Sequence, residues 1–117
     1  MRRCNVPRIA KKGDAKTQID RIVKRIVKKF HPEKIILFGS QARGDSGPDS
    51  DIDLLVVMPV VGSIREKRLE VSLAIPHSPI PVDVIVTTPE DFAWRKDIVG
   101  TIEWPATREG KVLYARR

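Results

Sequence analysis

Three short apolar runs set the limits on what this chain can fold into. Residues 34–38 (KIILF), 52–58 (IDLLVVM) and 82–87 (VDVIVT) each have the length of a strand and are bounded by Gly, Pro, Asp or Ser. Helical patterns lie between them. Alternation of strands and helices predicts an α/β (α+β) layer structure, a small mixed β-sheet with helices packed against it. The chain has 117 residues and 41% hydrophobic side chains, enough for one core without disulfide or metal staples.

The helical segments are predicted from pattern and end signals. Ile19, Ile22, Val23, Ile26, Val27 and Phe30 form one apolar stripe at helical spacing. Thr17 with Asp20 reads as its capping box and Pro32 as its stop. Residues 40–43 are expected to make a short helical segment and 44–50 (GDSGPDS) a loop. A second helix is expected over 63–75, capped by Ser63 with Glu66 three residues on. Thr88–Pro89 opens another, with Glu90 and Asp91 in its first turn. Residues 97–104 are expected to be helical, and 111–114 to form a final strand after Gly110.

Charge divides the chain. It totals +7, but residues 1–34 carry 12 Lys/Arg against 3 Asp/Glu, a net of +9, and the remainder is slightly acidic. A basic, flexible segment over 1–16 is therefore expected to precede a domain over 17–117. The basic face of the leader helix suits either solvent, nucleic acid or an acidic partner. With only 6 Phe, Trp and Tyr, an RNA-stacking surface has little to draw on. The uncharged stretches 54–64 and 71–82 are broken by prolines and shorter than the roughly 20 residues of a membrane span. A lone Cys4 builds no disulfide framework, which fits a cytoplasmic protein.

Chemistry concentrates at Gly39-Ser40 and, ten residues later, at Asp51-Ile52-Asp53. On a strand, Asp51 and Asp53 project from one face while Ile52 points to the other. Side-by-side carboxylates repel, and a divalent cation such as Mg²⁺ relieves that repulsion. Asp83, in an otherwise apolar strand, would complete a three-carboxylate cluster able to hold two Mg²⁺ ions if its strand lay beside that of Asp53. Gly39 permits close backbone approach, Ser40 adds a donor, and Arg43 is a further phosphate contact. Taken singly, a Gly-Ser turn or an Asp-x-Asp pair is an ordinary loop feature. Together with the later strand Asp they fit one geometry.

The spacing Gly39-Ser40-x10-Asp51-x-Asp53 resembles the signature of the DNA polymerase beta-like nucleotidyltransferase superfamily. The stretches 37–44 (LFGSQARG) and 50–54 (SDIDL) look like its minimal nucleotidyltransferase (MNT) branch. The resemblance implies a polymerase beta-like nucleotidyltransferase fold and Mg²⁺-dependent transfer of a nucleoside monophosphate, such as AMP from ATP, to a hydroxyl. It implies that Gly39 and Ser40 hold the triphosphate, that Asp51 and Asp53 bind both metals, and that Asp83 is the third ligand and helps deprotonate the acceptor. Gln41 stands where the family often has Arg, which removes one phosphate contact. Minimal members are commonly encoded beside a HEPN-domain toxin that they neutralise, some by adding AMP to a toxin tyrosine. A catalytic core of this length leaves little surface for acceptor recognition, so a partner protein is expected. The other reading is a non-catalytic antitoxin or nucleotide-binding module that neutralises its partner by complex formation.

Overall fold

The computed structural model describes residues 15–39, 42, 51–78 and 80–116. Its elements are α1 (Ala15–Phe30), β1 (Lys34–Phe38), β2 (Ile52–Val57), α2 (Ile64–Ala74), β3 (Val82–Thr87), α3 (Pro89–Arg95), α4 (Glu103–Glu109) and β4 (Lys111–Ala115). The strands form one mixed sheet in the order β3-β2-β1-β4. β1 is antiparallel to both β2 and β4, whereas β2 and β3 are parallel. A parallel neighbour requires a crossover, and α2 supplies it.

The central strands β1 and β2 are buried on both faces, which explains their almost continuous apolar composition. On one face Ile35, Leu37, Ile52, Leu54 and Val56 meet Ile19, Ile22 and Ile26 of α1 and Val71 of α2. On the other, Ile36, Phe38 and Leu55 meet Ala106 of α4, with Ile85 and Phe92 alongside. Ile22 and Ile26 are fully buried, and truncating either to Ala would cost about 2–5 kcal/mol.

Most ends follow local chemistry. The Ser63 hydroxyl accepts from Glu66 N–H at 3.2 Å, and that of Thr88 accepts from Asp91 N–H at 3.1 Å, with Pro89 opening α3. α1 ends where His31 turns left-handed (φ 52°) ahead of the buried Pro32.

Two expectations are corrected. α1 begins at Ala15, so Thr17 lies inside the helix rather than capping it; Ala15 and Lys16 are both good helix formers and extend it. Residues 97–102 are turns, and the helix expected over 97–104 instead runs from Glu103 to Glu109. Gly100 at φ 103° breaks the helical path. Thr101 Oγ1 lies 2.8 Å from Arg95 O and 2.9 Å from Ile98 O, and it accepts from Trp104 N–H at 3.2 Å. Pro105 then falls in the first turn of α4, where a missing N–H costs no helical bond. Among the described residues no helix is long and apolar enough to cross a membrane.

Candidate active site

The carboxylates gather where β1 ends and β2 and β3 begin. Asp53 is paired in register with Phe38 on one side and with Asp83 on the other. In-register neighbours share a sheet face, so Asp53 and Asp83 lie side by side. Ile52 and Leu54, which flank Asp53 in sequence, are fully buried in the core that includes α1. The carboxylates therefore occupy the opposite face, the one covered by α3 and α4. Asp51 sits exposed just before β2, two residues from Asp53 and on the same side by alternation.

Gly39 follows β1 with φ 78°. A Cβ there would run into Asp53 Oδ2, so both the backbone conformation and the close carboxylate require glycine. The Gly39 carbonyl accepts from Ala42 N–H at 3.1 Å, and Ala42 is helical and buried. Gly39 thus ends the strand directly against Asp53. Ser40 and Arg43, the other two predicted nucleotide contacts, lie outside the described residues, as does Gln41.

Burial first, and then the charges of Asp83 and Asp51, push the Asp53 carboxyl above its ordinary value. The same repulsion is what a bound cation would remove, and three carboxylates are the hard oxygen donors that Mg²⁺ prefers. As placed, no three His, Cys, Asp or Glu side chains among the described residues converge enough to enclose an ion. One oxygen of Asp83 is occupied elsewhere: Arg68 Nη2 donates to Asp83 Oδ1 at 2.8 Å, and Arg68 Nε donates to Val84 O at 2.7 Å. The chemistry of the donor set, three carboxylates, nevertheless suits the cation.

Sequence reasoning missed Arg68. Its helix carries several charged residues, and only the placement of α2 against β3 reveals which cation reaches Asp83. It also missed Glu103, which is buried and accepts from Thr87 Oγ1 at 2.8 Å and from Arg95 Nε at 3.1 Å. Thr87 is at the far end of β3 from Asp83, so this network braces α3 and α4 rather than the carboxylates.

Comparison with known proteins agrees with this architecture. Residues 19–104 match the family described as "Nucleotidyltransferase domain". The chain belongs to that family. It is 33% identical over 55 residues to "Putative protein adenylyltransferase MJ0141" of Methanocaldococcus jannaschii, a match spanning 47% of this chain and 54% of that protein. A crystal structure of a "putative nucleotidyltransferase" from Sulfolobus solfataricus superposes with a TM-score of 0.58 at 27% identity, covering 86% of each chain. A chain of a toxin–antitoxin crystal structure with AMP-PNP shares the fold, with a TM-score of 0.52 at 20% identity, covering 84% of this chain and 73% of that one.

Proposed function

We propose that the protein transfers the adenylyl group of ATP to a hydroxyl of a partner protein, a tyrosine of a HEPN-domain toxin, and so acts as an antitoxin. The observation that carries this reading is the in-register pair Asp53 and Asp83 beside the turn at Gly39. Family membership supports nucleotidyl transfer. The name of the M. jannaschii relative supports a protein acceptor, and the fold shared with a toxin–antitoxin chain supports the toxin partner.

In this reading the acceptor oxygen attacks the α-phosphorus of ATP, the bond from that phosphorus to the bridging oxygen breaks, and pyrophosphate leaves. Asp83, the most exposed strand carboxylate, takes the acceptor proton. Gly39 and Ser40 seat the triphosphate and Arg43 contacts it. Asp51, Asp53 and Asp83 would hold Mg²⁺, which when bound neutralises charge on the triphosphate and leaving group. The chain's own part is to fix the carboxylates on rigid strands, so that orientation is set before the substrate arrives.

The test is incubation of the protein and its co-purified partner with α-labelled ATP and Mg²⁺, followed by mass spectrometry of the partner. A partner tyrosine bearing one AMP, absent with Asp53→Asn, is expected. A second reading, neutralisation by binding alone, is favoured by the engagement of Asp83 with Arg68. It predicts that Asp51→Ala, Asp53→Asn and Asp83→Asn all neutralise as well as the wild type.

A further inference from the structure

A groove of about 300 Å³ lies on the other side of the sheet, lined by Arg21, Lys24, Arg25 and Lys28 of α1 and by Pro76 after α2. We propose that this groove binds the phosphodiester backbone of a nucleic acid, independently of the nucleotide site and of the transfer reaction.

The apolar stripe of α1 is buried against the sheet, which fixes the direction of the flank that carries these four cations. They fall at i, i+3, i+4 and i+7, and so line one side of the helix over about 10 Å, the reach of a few consecutive phosphates. Two are held in place: Arg25 Nη1 donates to Ala74 O at 3.1 Å and Arg21 Nη1 to Gln18 Oε1 at 3.3 Å.

Lys67, Arg68, Arg95, Lys96, Arg108 and Arg116 each meet a carboxylate. Among the described residues no carboxylate pairs with any of the four groove cations. Among the described residues Lys29, Lys34, Arg65 and Lys111 also meet no carboxylate, so what distinguishes the four is that they are unpaired and line one groove together. Like charges at these spacings repel along a helix, and a polyanion removes that repulsion.

The lining favours nucleic acid over an acidic protein. Protein interfaces draw their affinity from buried aromatic and aliphatic anchors, and among the residues lining this groove only Pro76 is of that kind, the rest of its apolar surface being Lys and Arg stems. It contains no aromatic ring on which a base could stack, so recognition would rest on phosphates and be indifferent to sequence. The carboxylates of the candidate active site face away from α1, so a nucleoside triphosphate bound there would not compete.

The experiment is fluorescence anisotropy of the full chain with labelled single-stranded RNA and DNA of unrelated sequences, between about 50 and 200 mM salt. Comparable binding of all probes is expected, with log affinity falling against log salt at a slope of roughly −3 for four neutralised phosphates. Lys24→Gln/Lys28→Gln should weaken binding about fivefold or more and reduce the slope by about 1.4. Its unchanged circular dichroism and melting temperature would show that the fold is intact. ATP with Mg²⁺ should not displace the probe. The proposal is overturned by absence of binding at low salt, by wild-type affinity in the double variant, by binding confined to one sequence, or by tighter binding of poly-glutamate than of either nucleic acid.

Discussion

Arg68 grips Asp83 and the strand that carries it at once, reaching Asp83 Oδ1 at 2.8 Å and the Val84 carbonyl at 2.7 Å. The ion pair is about half exposed on both sides, so its Coulomb energy is small. Its consequence is orientation. If Asp83 holds Mg²⁺ as proposed, Arg68→Ala should raise the Mg²⁺ concentration needed for half-maximal nucleotidyl transfer by about tenfold, the usual effect of removing a group that orients a ligand. Arg68→Lys should recover part of the loss. A Mg²⁺ titration checks this, and a lower requirement in Arg68→Ala would mean that the guanidinium competes with the cation.

Asp53→Asn should lower transfer on the order of 10³-fold and yet raise stability without Mg²⁺. The Asp53 carboxyl is pushed up by burial and by its acidic neighbours, so its ionised form is unfavourable in the folded state. Amide replacement removes both the cost of burying the charge and the repulsion, so Tm should rise. Thermal melts at neutral pH in EDTA would show it.

The same group sets a pH dependence. Because its folded value lies above its unfolded value, the folded chain holds more protons between the two, and stability falls as pH rises through that interval. The metal-free wild type should therefore lose stability from its Asp53 contribution on going from acid towards neutral pH, and Asp53→Asn should lack that component. Urea midpoints for both proteins across pH 4–7, corrected for the shared trend, measure it.

Gly39→Ala would be forced into a left-handed backbone costing roughly 1–2 kcal/mol, with its methyl group against Asp53 Oδ2. Stability should fall by at least that amount and transfer should be lost with it. Gly62→Ala is the control: its φ is also positive, but nothing lies within 4 Å of its Cβ position, so it should share the backbone cost and retain transfer.

Glu103→Ala should destabilise by about 2–3 kcal/mol, because the buried Thr87 hydroxyl and the Arg95 guanidinium both lose their partner. Glu103→Gln, which keeps an acceptor for Thr87, should cost less. Affinity for ATP in either variant should remain near wild type, measured well below the lowered Tm.

Much of this was legible before folding. The strands at Lys34–Phe38 and Val82–Thr87 follow from apolar runs with clear ends, and the Ser63 and Thr88 caps involve groups three residues apart. What could not be read depends on distant partners. α4 starts at Glu103 because Thr101 folds back on Arg95 and because Glu103 finds Thr87 and Arg95. Arg68 is one cation among several on its helix until α2 docks on β3 and brings it within reach of Asp83 and the Val84 carbonyl. Asp51 and Asp53 announce themselves by spacing, but the adjacency of Asp53 and Asp83 is a property of the sheet.

That adjacency also has a kinetic meaning. β1 and β2 meet as antiparallel neighbours, whereas Asp83 comes beside Asp53 only after the chain has traversed α2 and inserted β3 in parallel at the sheet's margin. Long-range parallel pairing is slow because loop closure precedes its reward, and here it also brings two negative charges together. A partly assembled chain can thus be compact, with its first hairpin formed, and chemically silent. Recovery of catalysis would require the docking of β3 and would follow any optical signal from the first hairpin.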